Sequence, residues 1–138
     1  MSRRDEFVEI FHGAPIARIY GMRLHYADDG SAIFDLKYNP NFDHAAGGIH
    51  GGVMATMLDN AGWFTVAPHF ENWISTVEFR TQLLDHVEKE DLRAQGRIVR
   101  LGKTLTVAAM DVHTKSGRHI ATGLGTFAVS KIPFGLKK

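Results

Sequence analysis

The run GIHGGVMATMLDNAGWF, residues 48–64, holds the side chains whose types and spacing could do chemistry. It opens on His50-Gly51-Gly52 and carries one carboxylate, Asp59, within an otherwise apolar, helix-like segment. The first N–H groups of a helix lack intrahelical acceptors and favour negative charge, and glycine lets a ligand approach that backbone closely. Gly47, Gly48, Gly51 and Gly52 therefore read either as a tight turn with close packing or as a cradle for an anion or developing oxyanion. A carboxylate in so apolar a run is costly to bury. Proton abstraction or nucleophilic attack would give Asp59 a reason to be there.

Stepping 100° per residue sorts this helix into two unlike sides. Val53, Met54, Met57, Leu58, Ala61, Phe64 and Thr65 fall on one, suited to a sheet. Gly52, Thr56, Asp59, Asn60 and Trp63 fall on the other. A solvated helix face normally carries Lys, Glu, Gln or Arg, and residues 51–68 contain none. Close approach of another surface explains that side better than open water does, which places Asp59 inside a packed interface.

The chain of 138 residues suits one domain, 1–138, with a sizeable core. A formal charge of +1 points to neither a nucleic-acid nor an acidic-membrane partner. The absence of cysteine removes disulfides, thiolate metal sites and cysteine nucleophiles, and fits a reducing compartment. MSRRDEFVEIF lacks a secretory apolar core, and no apolar run approaches the ~20 residues that span a bilayer, so a cytoplasmic location is the expectation.

Residues 3–12 read as a short amphipathic helix stopped by Gly13 and Pro15, making 1–15 an N-terminal helical segment. Residues 16–26 and 31–38 read as strands joined by the turn Asp28-Asp29-Gly30. A turn-rich loop, NPNFDHAAGG, precedes the long helix, and four strand-like runs follow it. The predicted tail, 131–138, is loose. This order argues an α+β fold: a curved antiparallel sheet of about six strands wrapped around one long central helix. One sheet and one main helix leave a sheet edge or face uncovered, so a homo-oligomer is expected.

His50-Gly51-Gly52 followed by Asp59 resembles the hotdog-fold acyl-CoA thioesterases, in particular the phenylacetate-degradation (PaaI-like) branch. TVEFRTQLL, GRIVRLGKTLTVAAMDV and GRHIATGLGTF resemble that branch in order and spacing, and the likeness covers roughly residues 16–130. The resemblance implies dimers with a continuous sheet, often paired into tetramers, that hydrolyse acyl-CoA thioesters. No cofactor is implied beyond the coenzyme A of the substrate. Carried over by position, Asp59 matches the catalytic carboxylate and Gly51 the residue whose amide polarises the carbonyl. Ser75 and Thr76 both match the Ser or Thr that supports the attacking water in some relatives. The chain departs from the pattern at His44, where many relatives have Asn. His44 can donate or accept as an amide does, but differs in shape and can charge near neutral pH.

His50 is a candidate base, though in such relatives it fixes the loop before the helix. His44 and His50 without a carboxylate cluster do not make a metal site. Gly102-Lys103-Thr104 imitates the end of a phosphate loop, but Arg97 stands where its first glycine must be. Arg80, Arg97, Arg100 and Lys103 are strand-surface cations that could meet coenzyme A phosphates. Phe42 and Asp43 border the pocket, while Gly52, Asn60 and Trp63 complete the substrate-binding set.

Gly51 and Asp59 lie eight residues apart, ~12 Å along one helix at 1.5 Å per residue. Both must act within ~3–3.5 Å of one carbonyl and its water. Each site is therefore expected to take Gly51 from one subunit and Asp59 from its partner. The competing readings are an acyl-thioester dehydratase or hydratase using His50 or His44, and a non-catalytic acyl-CoA-binding module.

Overall fold

The computed structural model describes residues 1–135. Two short helices, α1 (Arg3–His12) and α2 (Pro15–Tyr20), lead into strands β1 (Arg23–Tyr26) and β2 (Ala32–Leu36). A single 3₁₀ turn at Pro40–Phe42 precedes the central helix α3 (Gly51–Val66). Then come β3 (Asn72–Leu83), β4 (Leu92–Leu101), β5 (Leu105–Thr114) and β6 (His119–Pro133). All six strands form one antiparallel sheet in the order β1-β2-β4-β5-β6-β3. The expected α+β sheet around one helix is the fold.

Two stretches differ from the sequence reading. Residues 16–22 are not strand: Pro15 starts a second helix instead of only ending the first, and Gly21 closes it in the left-handed region. Proline at a first helical turn forfeits no hydrogen bond, so one residue serves as stop and start. The N-terminal helical segment thus runs to Tyr20. Lys131–Pro133, expected to be loose, belong to β6, and Phe134 stands 5.1 Å from the ring of Phe7 and 4.5 Å from that of Trp73. Residues 136–138 of that expected tail lie outside the described residues.

The apolar side of α3 is buried as its periodicity requires. Val53, Met54, Met57, Leu58, Ala61, Phe64 and Thr65 are all inaccessible and sit on Phe34, Ala94, Met110 and Phe127 of the sheet. Each large side chain so buried contributes on the order of 1.5–3 kcal/mol. The one hydroxyl among them, Thr65 Oγ1, donates to Ala61 O at 2.7 Å and accepts from Ala32 N–H at 3.0 Å.

The other side of α3 is covered in part by this chain's own N-terminus. Tyr20 and Thr56 hydroxyls lie 3.2 Å apart, and Asn60 Nδ2 donates to Met22 Sδ at 3.6 Å. Trp63 Nε1 donates to Ile74 O at 3.0 Å, and its ring joins Phe7, Phe64, Trp73 and Phe134. The close-packed surface expected against this face is thus supplied largely by α1, α2 and β3. Trp63, placed with the substrate-binding set from sequence, has its indole N–H and ring both engaged within the chain.

Candidate functional site

Asp59 sits where α3 passes under β3. Thr76 Oγ1 donates to Asp59 Oδ1 at 2.8 Å. Burial raises the Asp59 carboxyl above the ordinary aspartate value, and the Thr76 hydrogen bond pulls it partly back. No cation lies within ion-pair distance of Asp59 among the described residues. A half-buried acid with one oxygen held and no counter-ion keeps its second oxygen available.

Strand alternation separates the two hydroxyl candidates. Thr76 pairs with buried Phe127 on the helix side of the sheet, so exposed Ser75 faces the opposite side. Ser75 does not join the site. Arg80 is likewise on that outer side, since neighbouring Thr81 pairs with Gly123, which lies against Leu58 of α3. Arg97, Arg100 and Lys103 are exposed. The β4–β5 register places Arg100 and Lys103 at the end of the sheet opposite Leu83. None of these cations approaches Asp59 or Gly51 within one chain.

Gly51 starts α3 at the other end. His50 is its N-cap: the ring Nδ1 accepts from Gly52 N–H at 2.8 Å. That engages Gly52 N–H and leaves the amide of Gly51, the first of the helix, without an intrahelical acceptor. A side chain at Gly51 would begin 2.5 Å from Leu83 Cδ1 of β3. Gly51, Met54, Leu83, Leu84, Asp85, His86, Val87, Ile49 and His44 line a cleft of about 340 Å³. His44 Nδ1 accepts from Ala46 N–H at 3.1 Å, so the neutral ring carries its proton on Nε2 as a donor.

Phe42, Asp43 and Gly52 lie on a second groove, about 510 Å³, with Tyr20, Asn41, His50 and Val53. Phe42 is buried and tilts against Tyr20 at 5.5 Å. Asp43 Oδ2 accepts from the Tyr38 hydroxyl at 2.6 Å. A further cavity, about 720 Å³ among Arg23, Asp35, Lys37, Arg93 and Lys115, is on the β1–β2 side of the sheet, away from Asp59 and Gly51.

The structure thus unites Asp59 with Thr76, and Gly51 with His44, but in separate places. It also brings in Leu83 and His86, which the sequence pattern alone does not single out. The signal for His86 is the spacing His86-x-Glu88 straight after a strand, which puts a carboxylate beside the imidazole.

The Thioesterase superfamily matches residues 46–121, more than half of the chain, with Gly51, Asp59 and Thr76 inside the match. The chain belongs to this superfamily, with the hotdog fold, and is a hydrolase of the thioesterase class. A Halobacterium salinarum protein provisionally named an esterase is 29% identical over 79% of this chain and 80% of its own length. The fold matches a thioesterase family protein of Silicibacter pomeroyi at TM-score 0.85 and 25% identity, covering 94% and 100% of the two chains. It also matches Escherichia coli PaaI, from the phenylacetic acid degradation operon, at TM-score 0.87 and 14% identity over 95% and 96%. The PaaI-like architecture expected from the sequence is the one found.

Proposed function

We propose that the chain is an acyl-CoA thioesterase whose two half-sites are joined by a second copy of itself. The observation that carries this reading is the Thr76–Asp59 pair: a half-buried, uncompensated carboxylate presented beside an edge strand. β3 has no neighbour on one side, and Val77, Phe79 and Leu83 are 58%, 36% and 54% exposed along it. Phe79 and Leu83 share the helix side with Thr76, as their partners Gly125 and Ala121 show. A long edge strand with apolar side chains invites pairing with another strand. An antiparallel twofold copy centred on Arg80, midway between Thr76 and Leu83 once the bulge at Val77 is left out, sets Asp59 of each chain near Gly51 of the other.

In that arrangement Asp59 deprotonates a water or attacks the carbonyl carbon directly. The Gly51 N–H and the Nε2–H of His44 receive the charge on the carbonyl oxygen. Losing one such donor typically lowers the rate ~10²–10³-fold. A dehydratase would need a free imidazole as acid–base group, and the Nδ1 atoms of both His50 and His44 already hold backbone amides. The test is thiol release from a panel of acyl-CoAs by wild type and Asp59→Asn. Release by wild type and its loss in the variant support the reading; acyl-CoA binding without release by either protein overturns it.

A further inference from the structure

We propose that His86, oriented by Glu88, donates a proton to the departing thiolate in the Gly51 half of the site; this rests on the thioesterase reading above. His86 lies on the loop after β3 and lines the same cleft as Gly51. Its backbone is fixed at both ends: His86 N–H donates to Asp85 Oδ1 at 2.9 Å, and Arg118 Nη1 donates to His86 O at 3.0 Å. Arg118 also binds Asp85 and Glu90, each at 2.8 Å. The His86 ring Nε2 meets Glu88 Oε1 at 3.0 Å, which makes Nε2 the protonated nitrogen and frees Nδ1.

That free Nδ1 and the Nε2 of His44 converge over Gly48. A side chain at Gly48 would begin 2.9 Å from the first and 2.8 Å from the second, so any larger residue there would have to push the rings aside. The ring centroids are 6.2 Å apart. The two nitrogens differ in what they can do. His44 Nδ1 accepts the Ala46 amide, which fixes its Nε2–H as a donor. His86 has no such restraint. When it binds a second proton, Glu88 balances the imidazolium and Nδ1–H points into the cleft. The groups facing it are Glu88, His44, Asp85 and, through the backbone, Arg118.

The step balances. Water attacks the carbonyl carbon and yields one proton to Asp59. When the tetrahedral intermediate collapses, the carbonyl re-forms and the C–S bond breaks with its electron pair on sulfur. Sulfur takes the proton from His86 Nδ1, giving free thiol and acid. Asp59 then loses, and His86 regains, a proton from solvent.

The experiment compares two thioesters of one acyl group, one of coenzyme A and one of a far more acidic thiophenol, in wild type, His86→Gln and Glu88→Gln. An alkyl thiolate leaves poorly without a proton, whereas a thiophenolate does not need one. His86→Gln should lower kcat for the coenzyme A ester about 10²-fold, the usual scale of a proton donor. It should leave the thiophenyl ester within about threefold of wild type. Glu88→Gln should show a smaller loss with the same selectivity. Equal losses on both esters, or none, overturn the proposal. If Asp59→Asn is inactive while His86→Gln keeps full activity on both esters, only this inference fails; if wild type cleaves neither ester, the thioesterase reading fails with it.

Discussion

Thr76 on the edge strand hands its hydroxyl hydrogen to Asp59 on the central helix across 2.8 Å. This contact bridges 17 residues of chain and ties the acid to the one strand that lacks an outer neighbour on the helix's C-terminal side of the sequence. Thr76 therefore both positions the acid against the edge strand and offsets part of the effect of burial on its protonation.

Burial raises the Asp59 carboxyl and Thr76 lowers it. As a base, Asp59 works only when ionised, so activity should climb with pH along a limb centred above the ordinary aspartate value. Thr76→Val removes the lowering influence and should move that limb to still higher pH, with kcat reduced. Ser75→Ala, altering the opposite face of the strand, should leave the profile unchanged. Rate against pH for the three proteins checks this.

The same shift bears on stability. A carboxyl whose folded pKa exceeds its unfolded value binds a proton more tightly in the native state, so folding stability falls as pH rises between the two values. Above that window Asp59 weakens the fold. Asp59→Asn, which keeps an acceptor for Thr76, should raise Tm at neutral pH by about 2–5 °C, on the order of 1 kcal/mol, while abolishing turnover. Thermal unfolding at neutral pH and at pH 3 should show the gain shrinking in acid.

His50 presents its Nδ1 to Gly52 N–H, which makes it a cap. His50→Ala should cost about 1 kcal/mol of stability. His50→Asn, another good cap, should restore most of it and retain activity. A His50→Asn protein that is fully stable yet inactive would mark the imidazole as chemical.

Pairing of β3 with its own copy can be read by cross-linking. The chain has no cysteine, so a single introduced thiol reports cleanly. Antiparallel neighbours lie ~4.5–5.5 Å apart between Cα atoms, inside the ~4.4–6.8 Å range a disulfide spans. Arg80→Cys, at the twofold axis and so opposite its own copy, should form a covalent dimer on oxidation. His25→Cys, on β1 at the far edge of the sheet, should not.

Much of this architecture is legible because α3 repeats its apolar positions at helical spacing, and every residue so assigned from Val53 to Thr65 is buried. Asp59 stands out as the lone acid in that run. The departures share one physical cause: a residue can have two uses that sequence does not rank. Pro15 ends one helix and begins another. Periodicity alone places Trp63 with the open face, but Phe7, Trp73 and Phe134 come to it from distant parts of the chain. Ser75 and Thr76 differ only in which side of the sheet they face, which a bulge or a one-residue register shift would reverse. For His86 the sequence offers only the spacing to Glu88, because its other neighbours Gly48 and His44 reach it through the fold.

The division of the site between two chains is tested most directly by a mixed dimer. One chain carries Asp59→Ala; the other carries Gly51→Pro, which deletes the amide donor at a first helical position where no intrahelical bond is lost, the Leu83 side chain having to turn aside for the ring. Each parent dimer should be inactive. The mixed dimer should recover about half the wild-type thiol release, because one of its two sites combines the intact halves. A mixed dimer as inactive as its parents would mean that Asp59 and Gly51 serve the same chain, and would contradict a site shared between subunits.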